Sequence, residues 1–103
     1  MNGSLTDAFH QKMVEVYERA KNEYHYNAVR FHQMVQQEGG LATAKKLLAS
    51  KQYSEGLTHL WELKCLDISM EALVLKEPWC CLFTIEELAI AKKRLNELGY
   101  QNA

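Results

Sequence analysis

The sequence predicts an all-α protein, a compact single-domain bundle of five to six helices over residues 1–103. Three observations carry that expectation. Apolar residues recur at helical spacing in one segment after another. Proline occurs once, at Pro78, and Gly39 and Gly40 are the only paired glycines, which leaves little material for the turns of a sheet. The one run of strand-like character, residues 79–83, is short and directly follows the proline.

The first helix is expected to take Thr6 as cap, with Asp7 favourable to the dipole, and to run to about Tyr24. Phe9, Met13, Val16, Tyr17, Ala20 and Tyr24 share its apolar stripe. A second helix, residues 27–38, takes Asn27 as cap and carries Ala28, Phe31 and Val35, with Val29 and Met34 flanking; Gly39 and Gly40 stop it. The third, residues 41–49, presents Leu41, Ala44, Leu47 and Leu48 before the polar residues 50–52. Ser54 opens a fourth with Leu57, Leu60 and Trp61.

Residues 65–69 break the pattern, and Ser69 caps a short fifth helix through Leu75 that presents Leu73 and Val74. Pro78 is expected to end it, because the residue before a proline is pushed out of helical geometry. Residues 79–83 then form an apolar connector tucked against the bundle. The last helix, residues 84–99, has every signal in place. Thr84 and Glu87 form a capping box; Ile85, Leu88, Ala91, Leu95 and Leu98 recur at helical spacing; Lys92, Lys93 and Arg94 sit toward the negative end of the dipole; Gly99 supplies a left-handed stop.

With 103 residues and 48% apolar content, the chain can bury a core without a metal or a disulfide. Its formal charge is −1, and residues 1–50 hold six basic against five acidic side chains while 51–103 hold six against eight. Neither half is a basic tail, so net charge advertises neither nucleic acid nor an anionic membrane. No stretch approaches the roughly 20 apolar residues that span a bilayer, and residues 1–4 lack the charged-then-apolar layout of a secretory signal. A cytoplasmic protein with no membrane association is expected. Cys65, Cys80 and Cys81 make an odd count, which argues against a disulfide framework and suits reduced thiols.

Four histidines and three cysteines raise the question of zinc, since imidazole and thiolate are its preferred ligands. The spacing does not supply a site: CxxC, HxxxH and HExxH are all missing, and adjacent Cys80 and Cys81 point apart. No metal and no cofactor is expected, and buried thiols acting as small apolar groups are the simpler use. Cys65 with His59 is a candidate nucleophile and base, but six residues across a helix end do not bring them together. Glu15 with Glu18, and Glu86 with Glu87, could divide acid and base roles, but a solvated helix face and a helix first turn are their simpler homes. No nucleophile elbow, phosphate-cradling loop or dinucleotide fingerprint is present. No catalytic residue is assigned, and enzyme activity is not expected.

Three constellations are candidates for binding. Tyr24, His25, Tyr26, Arg30 and His32 interleave aromatic and basic groups, which suits stacking and anion contact by a nucleotide or another small molecule; the plainer use is to close a corner between helices. Helices three and four with a polar turn between them have a helix-turn-helix outline, with Lys45, Lys46, Lys51 and Lys64 around it. The second of those helices begins Ser54-Glu55-Gly56, which would set a carboxylate against phosphates. Trp79, Leu82 and Phe83 beside Pro78 form the densest apolar cluster outside a regular helix, either closing the core or offering a contact patch to a partner.

The runs Leu60-Trp61-Glu62, residues 66–75, Leu82-Phe83-Thr84 and residues 86–91, with the Gly-Gly-Leu-Ala-Thr-Ala-Lys-Lys-Leu run over 39–47, resemble a family of short prokaryotic proteins without an assigned function. The resemblance implies a bacterial or archaeal cytosolic protein, alone or appended to larger proteins, including ones connected with restriction or DNA modification. It carries over no catalytic residue. Where the family has polar residues before the Leu-Phe-Thr turn, this chain has Trp79-Cys80-Cys81.

The sequence thus points to a non-enzymatic helical interaction module that binds a protein partner or itself, in an accessory or regulatory role. The alternatives are a helix-turn-helix-like nucleic-acid-binding regulator and a small-molecule or nucleotide-sensing domain.

Overall fold

The computed structural model describes residues 4–50 and 55–100, and its first helix opens on a reciprocal cap. Ser4 Oγ accepts from the Asp7 N–H at 3.1 Å and Asp7 Oδ2 accepts from the Ser4 N–H at 3.4 Å. Helix α1 therefore spans Leu5–Tyr24, and Thr6, the cap expected from the sequence, lies inside it. Ser4 wins because it has a carboxylate three residues downstream, whereas Thr6 has Phe9 there.

The chain leaves α1 at His25, in the left-handed region at φ 58°, and the Tyr26 N–H reaches back to the Ala20 carbonyl at 2.9 Å. Asn27 does not cap the next helix as the sequence suggests. Its Oδ1 accepts from the Tyr17 hydroxyl at 2.7 Å instead, and α2, Val29–Glu38, begins after Ala28 with no side-chain cap. Gly39, at φ 92°, ends α2 and opens α3, Gly40–Ala49, in a single residue. Gly40, expected as part of the stop, is thus the first residue of α3.

At Gly40 the backbones of α1 and α3 approach closely. Its N–H donates to His10 Nδ1 at 2.9 Å, and a Cβ placed on it would stand 2.7 Å from the His10 Cα and 3.1 Å from Met13. Backbone cannot yield as a side-chain tip can. Gly40→Ala should therefore lower unfolding free energy by about 1–3 kcal/mol in urea denaturation, despite alanine's better helix propensity.

Helix α4 spans Glu55–Glu62; Lys51 and Ser54 lie outside the described residues. A 3₁₀ turn at Leu66–Ile68 leads into α5, Met70–Val74, where Ser69 Oγ accepts from the Ala72 N–H at 3.1 Å, as its sequence position predicts. This helix ends with Leu75 as its cap before Pro78 is reached, so the proline is not what stops it. A second 3₁₀ turn, Trp79–Leu82, forms the connector. Helix α6, Ile85–Glu97, starts on the expected box: the Glu87 N–H donates to Thr84 Oγ1 at 3.1 Å and the Thr84 N–H to Glu87 Oε1 at 2.9 Å. Gly99 follows it at φ 86°. Six α-helices and no strand are present among the described residues, and none of those helices is long and apolar enough to cross a membrane.

Helix α1, about 30 Å long at 1.5 Å per residue, packs against α2 and α3, while α3 reaches α6 and α6 lies on α5. Two apolar clusters result. Phe9, Met13, Val35, Leu48, Val74 and Phe83 form the first, and Ala20, Leu57, Leu60, Cys65, Ile68 and Leu95 the second. The expected stripe of α1 thus serves both, with Phe9, Met13 and Ala20 buried and Val16, Tyr17 and Tyr24 partly so.

The stripe expected for α6 needs correction at both ends of its charge pattern. Ile85 is 84% exposed, whereas Arg94 is only 5% exposed. Arg94 passes beneath the C-terminal end of α3. Its Nη1 donates to the Leu47 carbonyl at 3.0 Å and to Glu71 Oε2 at 3.3 Å, and its Nη2 to the Leu48 and Ser50 carbonyls at 3.4 and 2.6 Å. The guanidinium fork therefore closes the carbonyl end of α3 and neutralises a buried carboxylate on α5, joining three helices through one side chain.

Candidate functional site

Two ring stacks tie the corner between α1 and α2 to its neighbours. Tyr17 stacks on His32 with centroids 4.1 Å apart and planes 10° apart, and its hydroxyl is held by Asn27. Tyr26 stacks on His59 of α4 at 4.0 Å and 8°. His32 also meets Gln36 Nε2 at 3.4 Å. Beside these contacts, residues 26–31 and Met34 line a hollow.

That hollow is a groove of about 490 Å³, with Tyr26, Ala28, Val29, Phe31, Met34 and Leu47 among its lining residues and Arg30 beside them. At its base it continues into a narrower apolar recess of about 40 Å³ that shares Tyr26, Ala28, Phe31 and Leu47 and reaches Leu57, Leu60 and Met70. Val29, on the wall of the groove, is 49% exposed. Arg30 is exposed and has no ion-pair partner among the described residues. The site can therefore take apolar groups and meet an anion at its edge.

Of the five residues proposed from the sequence for small-molecule binding, the structure brings Tyr26 and Arg30 to this groove. His32 is engaged by Tyr17, His25 serves as the left-handed exit of α1, and Tyr24 packs against the second apolar cluster. Tyr17 and Tyr26 thus each have one ring face taken by a histidine of the protein itself. Val29, Phe31, Met34 and Leu47 were readable only as helix stripe. The signal that α2 offers more apolar surface than one contact can bury is the pair Val29 and Met34 flanking its stripe.

The lysines proposed for nucleic acid are distributed differently. Lys45 Nζ lies 2.7 Å from Glu87 Oε1 and 5.0 Å from the Phe83 ring centroid, and Lys46 Nζ lies 3.2 Å from Glu38 Oε2. Burial pushes the Glu87 carboxyl up, but the hydrogen bonds from Lys45 and from Thr84 outweigh it and hold the group below its ordinary range. Lys64 stands at the far end of α4, in the left-handed region at φ 61°. Helix α3 packs on α1, α2 and α6, and α4 on the 3₁₀ turn that follows it.

Trp79 and Phe83 face inward: their ring centroids lie 5.9 and 5.5 Å from that of Phe9, the latter edge-to-face. Leu82 is partly buried against the same cluster. The thiols do not share one environment, since Cys65 is buried, Cys80 half-buried and Cys81 exposed, which corrects the expectation that the adjacent pair is buried. Burial pushes the Cys65 thiol up, with Asp67 adding to the effect, and its charged neighbours are Asp67, Arg19 and Glu23; His59 is occupied with Tyr26. A raised thiol is a poorer source of thiolate. Among the described residues no three His, Cys, Asp or Glu side chains gather closely enough to hold a metal ion.

Comparison of the chain with protein-family models, curated proteins and solved structures finds no match.

Proposed function

We propose that the protein is a non-catalytic recognition module that takes an apolar segment of a protein partner, carrying a carboxylate, into the groove between the α1–α2 corner and α3. The observation that carries this reading is the groove itself: about 490 Å³ of mainly apolar hollow beside two ring stacks, with Arg30, which has no ion-pair partner among the described residues, at its edge. Concave apolar sites with few polar groups are where proteins place recognition. Tyrosine and arginine are also the side chains that anchor interfaces most often.

The nucleic-acid alternative has less support, because Lys45 and Lys46 spend their charge on Glu87 and Glu38. A nucleotide base stacking on Tyr17 or Tyr26 would find one face of each ring already taken by His32 or His59.

Anilinonaphthalene sulfonate, which joins apolar rings to an anion, is a suitable probe of the groove. Titrated into the folded protein and followed by amide chemical shifts, it should bind saturably and perturb residues 26–34 and Leu47. Ala28→Trp should fill the hollow and abolish binding, and Arg30→Glu should weaken it about tenfold. Non-saturable binding, or shifts centred elsewhere, would defeat the proposal.

A further inference from the structure

The same chain carries a side chain with the complementary shape and charge. Ile85, in the first turn of α6, is the most exposed large apolar residue among the described residues at 84%, and Ala89, one helical turn on, is exposed on the same face. Beside it stands Glu86, exposed and without an ion-pair partner among the described residues, while Glu87 is committed to Lys45. One end of the molecule thus presents an apolar knob flanked by a free carboxylate. The groove presents an apolar hollow flanked by a free guanidinium.

Knob and groove do not meet within one chain. Ile85 follows Phe83, which packs on Phe9 near the start of α1, whereas the groove opens past the end of α1. Ile85 is not among the residues that line the groove. Any contact between the two surfaces is therefore between copies.

Resting on the groove reading above, we infer that its occupant is a second copy of this chain: Ile85 enters the groove of a neighbour and Glu86 pairs with that neighbour's Arg30. The contact joins two different surfaces, so two copies that seat their knobs reciprocally close a symmetric dimer, and a one-way contact leaves a knob and a groove open to further copies. The contact area is small, which places the association in the weak, concentration-dependent class.

Sedimentation equilibrium over a wide concentration range tests this, with circular dichroism checking that each variant is folded. The wild-type chain should show a weight-average mass that climbs above that of one chain as concentration rises. Ile85→Asp, with an intact groove, and Ala28→Trp, with an intact knob, should each be monomeric alone. Mixed one to one, they should form a capped dimer and nothing longer, because each supplies the surface the other lacks. Arg30→Glu should weaken assembly about tenfold, and adding Glu86→Arg to it should restore much of the loss. A wild-type monomer at all concentrations, assembly that survives Ile85→Asp, or a mixture that stays monomeric would each overturn the inference. Ile85→Asp should still bind anilinonaphthalene sulfonate in the groove. If the dye binds but wild-type chains do not assemble, the self-association is wrong while the groove reading stands; if the dye fails, the groove reading itself falls.

Discussion

Replacing Arg94 by methionine should remove about 3–5 kcal/mol of stability at neutral pH, one of the two largest losses expected for a single substitution here. The side chain is 5% exposed and holds Glu71 together with the carbonyls of Leu47, Leu48 and Ser50. Methionine has similar bulk and no charge. It would leave a buried carboxylate without a counter-ion and the end of α3 without a donor. Lysine should recover only part of the loss, because a point charge on a flexible stem cannot reach α5 and the end of α3 together as the fork does. Glu71→Gln should cost less than Arg94→Met, since the guanidinium keeps its three carbonyls.

This substitution also has a pH signature. Burial pushes the Glu71 carboxyl above its ordinary value, against the pull of Arg94. A group whose folded pKa exceeds its unfolded one contributes stability that is fully present below the unfolded value and lost as pH rises through the folded value. Without Arg94 the folded value rises further. The deficit of Arg94→Met should therefore narrow as the solution is brought from pH 7 toward about 4.3, the ordinary glutamate value. Urea denaturation followed by circular dichroism at several pH values reads both effects. A deficit under about 1 kcal/mol, or one that widens on acidification, would show that the buried pair does not hold these helices together.

Phe9→Ala should be comparably severe, at about 3–5 kcal/mol. Phe9 is fully buried, and its ring meets both Trp79 and Phe83, so truncation empties the meeting point of α1 and the connector. Loss of the two aromatic contacts adds to the cavity. The midpoint of thermal unfolding should fall by more than about 12 °C, taking 4–8 °C per kcal/mol for a domain of this length. Phe9→Leu, which refills most of the volume, should lose much less. Equal losses for both variants would mean the site is limited by ring geometry and not by volume.

The features legible in the sequence are those decided within one turn of chain. The Thr84–Glu87 box, the Ser69 cap and the left-handed Gly99 each depend on residues three or four positions apart, and all three occur as their residue types require. The cap of α1 was legible too, but only by asking which hydroxyl has a carboxylate three residues on; that condition selects Ser4 over Thr6. Asn27 shows where local reasoning stops. Its side chain could cap α2, and it was drawn off by a tyrosine from the preceding helix.

The last helix gives the clearest case of what sequence pattern leaves open. At 100° per residue, Leu88, Ala91, Leu95 and Leu98 define a stripe whose centre lies about 100° from Ile85 on one side and about 80° from Arg94 on the other. Helical spacing therefore gives the two nearly equal claims to burial, and hydrophobicity favours Ile85. Packing chose the opposite. The end of α3 lies over the Arg94 flank with three carbonyls that need a donor, and Glu71 of α5 adds a carboxylate, while nothing among the described residues covers the Ile85 flank. The groove has the same origin, since α2 was bound to carry more apolar side chains than one face can bury.

By itself the sequence determined the helical class, the local caps and the stripes from which the two apolar clusters are drawn, because each depends on spacing along a single helix. Only the tertiary structure decided that Arg94 is a buried strut, that Ile85 is a knob and that residues 26–34 line a hollow. Those outcomes depend on which neighbouring helix lies over each flank, a relation between residues tens of positions apart that no periodicity encodes.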